Sequence, residues 1–243
     1  MKLRLAMLAG LSLAMATPAL AQLQGMPVYF SPKGGTGITI DGDFGRVSSS
    51  KFGTLSSTGH PTTIGGRVYA GMPFLTVGVG AASYDSDVTG ASNETQFMGS
   101  LALKVLGGPL VPVAVSLQAG AGYLKFGTGT TATKVVSVPI GVGVALNIPT
   151  PGASLEPWLA GRVQISATSS GTTSSTRAGP GFSGGISLGL PMGLGAHVAF
   201  DWAKLSGKAS SPVISDRVDY QALTIGVGVH YMIRLGVPLV PGI

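Results

Sequence analysis

Three observations in this 243-residue chain point to one fold class. Apolar residues alternate with small or polar ones along almost its whole length. Charged residues make up only 10%, against roughly 25% in an ordinary soluble domain. After residue 21 no run approaches the roughly 18 consecutive apolar residues of a membrane helix, because Gly, Ser and Thr interrupt each one. Together they predict an all-β protein: an up-and-down antiparallel transmembrane β-barrel of about ten strands, with eight as the alternative count.

The N-terminus has its own logic. Lys2 and Arg4 form a short positive region, Leu5 to Ala16 is almost entirely apolar, and Ala19-Leu20-Ala21 is a small-x-small cleavage site. This predicts a cleaved secretory signal peptide over 1–21, too short in its apolar part to span a bilayer. Residues 22–35 are then expected to form a periplasmic N-terminal segment, 36–234 the barrel and 235–243 a C-terminal tail. The chain has no cysteine, so its stability must come from a core, a hydrogen-bonded sheet or lipid. The net charge of +6 falls to +4 without Lys2 and Arg4. No Lys/Arg cluster of the kind needed for nucleic acid accompanies it.

Ten alternating segments can be read in order: 36–47, 62–72, 74–84, 94–106, 112–126, 134–148, 154–168, 178–190, 193–205 and 218–234. Each is long enough for a tilted membrane strand, which needs about 9 to 11 residues in the hydrocarbon. Segments two and three join at Met72-Pro73, four and five through "GGPLVP", six and seven through "PTPGAS", eight and nine through "PMG". These are short and made of turn formers. The other five connections are longer and polar, among them "DSDVTGASN" and "SSGTTSSTR". Strict alternation of short and long connections predicts tight periplasmic turns, extracellular loops and both termini on the periplasmic side.

The two faces differ in kind. In the sixth segment Val136, Val138, Ile140, Val142, Val144 and Leu146 share one face, opposite Ser137, Gly141, Gly143, Ala145 and Asn147. The tenth repeats this with Leu223, Ile225, Val227 and Val229 against Thr224, Gly226, Gly228 and His230. A soluble barrel would carry Lys, Glu and Arg outside; here one face suits lipid tails and the other a narrow polar interior. Phe44, Phe97, Tyr123, Phe182 and Trp202 share the apolar phase and fall at the loop-side ends of their segments, as an interfacial aromatic girdle requires.

These features and the Gly-rich closing segment "YQALTIGVGVHYMIR" resemble bacterial outer-membrane β-barrel proteins of the small, opacity-type or OmpA-like class. The resemblance covers 36–234. It implies residence in the outer membrane, contact with outer-membrane lipid and lipopolysaccharide, and passage through the outer-membrane assembly machinery; it implies no activity. Such proteins commonly end on an aromatic residue, whereas this chain continues after Arg234 with "LGVPLVPGI". Tyr231 is the internal candidate for that signal.

The inward phase carries Asp41, Asp43, Arg67, Lys104, Glu156, Arg162, His197, Asp201, His230 and Arg234. Both signs occur, and in a barrel of about ten strands they are expected to pair across a narrow lumen. Arg67, on the strand next to the "DGD" of 41–43, is the expected partner of Asp41 or Asp43.

Catalytic readings are weaker. Outer-membrane proteases of the omptin kind oppose an Asp pair to a His-Asp pair at the extracellular rim. Asp85 and Asp87 imitate the Asp pair, but no His-x-Asp faces them. His197 and Asp201 are four apart, and His60 precedes a proline as a turn residue does. His197 and His230 lack the Ser partner that a lipid-modifying barrel needs. "DGD" is not followed by the spaced ligands of a calcium loop, "GGTG" lacks a strand-to-helix context, and three dispersed histidines have no zinc spacing. The expectation is a protein without enzyme activity, metal or cofactor. It acts either as a structural or surface-interaction barrel filled by a polar network or, given its Gly and Ala lining, as a narrow porin-like channel.

Overall fold

The computed structural model describes residues 23, 26, 36–88, 90–108, 111–129, 132–171, 173–210 and 217–234. The expected signal peptide and C-terminal tail lie outside them. Twelve strands follow one another: β1 (Gly37–Phe52), β2 (Leu55–Ser56), β3 (Thr62–Gly71), β4 (Leu75–Asp85), β5 (Glu94–Gly108), β6 (Val111–Phe126), β7 (Thr133–Leu146), β8 (Ile148–Thr150), β9 (Ala153–Ser170), β10 (Thr173–Gly189), β11 (Leu194–Ser210) and β12 (Arg217–Ile233). Among the described residues there is no α-helix.

Ten of these strands are staves; β2 and β8 are short additions paired to β1 and β9. Each stave pairs antiparallel with the next, and β1 pairs with β12 from Ile38↔Ile233 to Phe52↔Tyr220, which closes the wall. Closure removes the unpaired sheet edge that lipid would not tolerate. An even number of staves leaves β1 to begin and β12 to end at the same, turn-side rim.

The alternation seen in the sequence becomes the two faces of the wall. On β7 Val136, Ile140, Val142 and Val144 are 43%, 59%, 44% and 44% exposed, while Val135 and Ser137, in the opposite phase, are buried. A soluble protein does not leave aliphatic side chains bare along every strand. Hydrocarbon is the solvent that stabilises this face, and it explains why, among the described residues, outward charges stand only near the loop-side ends of the strands.

Two sequence expectations are corrected. The connection read as the long polar loop "SSGTTSSTR" is mostly strand: β9 runs to Ser170 and β10 starts at Thr173. Gly171, at φ 56°, supplies the left-handed backbone that this tight turn needs. Thr is a strand former once its backbone is paired, so a Ser/Thr ribbon extends the wall beyond the girdle. Short and long connections therefore do not alternate strictly. The interior is also not polar throughout. Toward the loop end Tyr84, Leu124, Phe126 and Val135 form a buried inward cluster, with Tyr84 edge-on to Phe126 at 5.7 Å.

Candidate functional site: the lumenal charge network

At mid-wall the inward charges meet. Arg67 on β3 donates through Nε to Asp43 Oδ2 at 2.8 Å, and its Nη2 lies 3.9 Å from Asp41 Oδ2. The register that pairs Asp41 with Arg67 across β1 and β3 brings the guanidinium to both carboxylates. The second oxygen of Asp43 reaches the other way: His197 Nε2 on β11 is 2.7 Å from Asp43 Oδ1. His230 on β12 stacks on His197 with ring centroids 6.0 Å apart. Arg67, Asp41 and Asp43 are 2%, 2% and 5% exposed. The sequence expectation of an Arg67 partnership thus describes only part of the cluster.

A second pair lies across β10. Arg162 on β9 donates through Nη2 to Asp201 Oδ2 on β11 at 2.8 Å, and Nη1 is 2.7 Å from Oδ1. Arg162 Nε also donates to Gln164 Oε1 at 3.3 Å, and Gln164 Nε2 donates to Ser137 Oγ at 3.4 Å. The buried charges are therefore compensated locally, as burial in a low-dielectric interior demands.

Glycine makes the room. Both Asp43 and His197 lie over Gly228 of the intervening strand, and a methyl group there would collide with Asp43 Oδ1 and His197 Nε2. His230 covers Gly195 in the same way. The guanidinium of Arg162 lies 2.8 Å from where a Cβ of Gly181 would be, and the stem of Arg67 lies 2.7 Å from that of Gly80. Aromatics use the same device: Trp158 lies over Gly185 and Tyr69 over Gly78. The inward glycines are seats for large side chains on neighbouring strands. Only the narrow-channel alternative counts these glycines as open lumen; what the sequence alone does not supply is the cross-strand register.

The remaining candidates divide. Glu156 is inward and buried, and Lys104 is inward and half-buried. Arg234 is corrected: it lies one residue past the end of β12 and is exposed, because the strand no longer directs it inward. Leu23 and Met26 also depart from a periplasmic placement. They are 1% and 2% exposed and pack against the inward side chains of Ala82 and Met98. Two residues of the N-terminal segment therefore occupy the lumen.

The girdle residues face outward. Phe44, Phe97, Tyr123 and Phe182 are exposed, Phe97 pairs directly with Tyr123, and Phe182 stacks on Trp202 at 6.0 Å. At the loop-side rim Asp87 accepts the His60 N–H at 2.7 Å, and Asp85 accepts the Asp87 N–H at 2.9 Å. Those carboxylates are spent on backbone amides and tie one loop to the next. Among the described residues no group of three or more His, Cys, Asp or Glu is arranged to hold a metal ion.

No family model and no curated protein matches the chain. Among solved structures it is similar to the outer membrane protease OmpT from Escherichia coli, at 11% identity over 85% of this chain and 99% of that one, with a TM-score of 0.42. It is similar to Neisserial surface protein A at 13% identity, over 82% and 98%, with a TM-score of 0.39. The attachment invasion locus protein Ail of Yersinia pestis follows at 12% identity, over 81% and 99%, with a TM-score of 0.34. The closed ten-stave wall, its bare aliphatic exterior and its aromatic girdle make this chain a membrane-spanning β-barrel of the outer-membrane type.

Proposed function

We propose that the protein is a non-enzymatic barrel whose lumen is filled by its own side chains and whose loop-side rim serves surface interaction. The observation that carries this reading is the seating of Arg67, Asp43, His197 and Arg162 on the glycines of neighbouring strands. Small residues would favour a narrow solute channel only if nothing covered them. Here the charges lie over them and neutralise one another. Between Arg162, Gln118, Ser100 and Ser183 the free space is about 20 Å³, enough for about one water. The apolar cluster around Tyr84 adds a barrier of another kind toward the loops. A display role is supported at the rim, where the His60–Asp87 contact joins separate loops and the β9–β10 ribbon rises beyond the girdle.

Planar-bilayer recording of the refolded protein is the test. The expected result is a silent membrane. Discrete, reproducible conductance steps would overturn this reading in favour of the narrow channel.

A further inference from the structure

On the outer face of three strands a basic residue follows the girdle aromatic toward the loops. Arg46 follows Phe44, Lys125 follows Tyr123 and Lys204 follows Trp202, each two residues along its strand and so on the same face. Two of the three have an acid in register or in contact. Arg46 stands in a row with Thr62 and Asp85, and Lys204 Nζ is 3.5 Å from Asp219.

Lys125 is different: directly opposite it, across β6 and β7, stands Lys134. Like charges facing each other in an antiparallel pair are destabilising. Among the described residues neither lysine has an ion pair within 4.0 Å. Glu94, at the end of adjacent β5, accepts the Gly127 N–H at 2.9 Å. Beyond Lys134 the row continues through Ser169 and Ser174, which add hydroxyl groups. One outward row below lie Tyr123 and Val136, paired with each other and exposed to lipid. The two ammonium groups thus stand where hydrocarbon gives way to the headgroups of the loop-side leaflet.

We propose that Lys125 and Lys134 clamp a phosphate group of a phosphorylated glycolipid in the outer leaflet, with Ser169 beside it as a hydroxyl donor. This rests on the outer-membrane reading. A phosphomonoester brings nearly two negative charges, which turns the repulsion between the lysines into a shared attraction.

Native mass spectrometry of the full barrel, refolded in neutral detergent and mixed with lipid A, provides the test. Retention of lipid A is expected to fall about fivefold for each lysine replaced in Lys125→Gln and Lys134→Gln. Dephosphorylated lipid A should be retained weakly by the unaltered protein and the variants alike, and Lys51→Gln should bind as the unaltered protein does. Without lipid A, Lys134→Gln should raise resistance to unfolding, because it removes the repulsion. Equal retention by the double variant, equal retention of the dephosphorylated lipid, or displacement by millimolar inorganic phosphate would each overturn the clamp. A barrel that shows the heat-dependent gel shift of a folded outer-membrane protein while failing these tests condemns the clamp alone. A chain with neither gel shift nor lipid retention condemns the outer-membrane reading beneath it.

Discussion

Asp43 and His197 are 154 residues apart and stand on strands that do not pair with each other, yet Oδ1 and Nε2 are 2.7 Å apart. They meet across β12 because its residue at that height is Gly228. Any larger residue there must break the contact or bend the wall. Gly228→Val is therefore expected to destabilise the barrel by about 1–3 kcal/mol, the usual cost of overpacking. Urea unfolding in lipid vesicles measures it. Gly99→Ala is the control, since the nearest atom to the added methyl group is the Gly78 carbonyl oxygen at 4.0 Å.

Arg67 compensates two carboxylates at once. Arg67→Ala leaves Asp41 and Asp43 facing each other's charge in a buried site, with only His197 to help. Removing one partner of a buried pair costs about 3–5 kcal/mol. Adding Asp41→Asn should recover part of that loss. An unchanged unfolding midpoint for Arg67→Ala would show that the pairing contributes nothing.

The Arg162–Asp201 pair continues to Gln164 on β9 and through it to Ser137 on β7. Asp201→Leu alone should be strongly destabilising, whereas the joint change Arg162→Leu with Asp201→Leu should be close to neutral, because no charge is left uncompensated. The combination of Arg67→Ala with Arg162→Ala should be additive within about 0.5 kcal/mol, as independent sites are. A larger coupling would mean that the lumen acts as one network.

The chain has two tryptophans, and the wall separates them. Trp202 faces outward in the girdle, while Trp158 is 5% exposed and inward. Lipids with brominated acyl chains should quench the fluorescence of Trp202 and spare that of Trp158. Trp202→Phe is expected to abolish most of the quenching. Quenching that survives in that variant would place Trp158 against lipid and contradict the inward phase.

The wall was legible in the sequence because inside and outside alternate with period two, and each outward residue needs only to be apolar. Val136, Ile140 and Val142 declare their face without knowledge of any neighbour. The limits of the strands were less legible, since Ser and Thr suit a loop or a solvated strand equally; "SSGTTSSTR" is composed for both. The inward charges were legible as a set, and Arg67 with Asp41 and Asp43 could be matched from adjacent strands. The contact from Asp43 to His197 could not, because it depends on the register of two further pairings and on the glycine between them. Tyr84 and Trp158 were hidden for a related reason: an aromatic in the inward phase reads as an exception until the glycine beneath Trp158 or the cluster around Tyr84 is known.

The seats also mark where each strand must stop sliding. A slip of one residue would turn a whole strand inside out and is forbidden by the two faces. A slip of two preserves the faces and would escape that test. Between β9 and β10, however, Trp158 lies opposite Gly185 and Arg162 opposite Gly181. Moving by two in either direction sets the indole against Ser183 or Ser187 instead. Side chain and seat work as teeth and notches, so only one alignment lets neighbouring staves lie flush while the barrel zips shut.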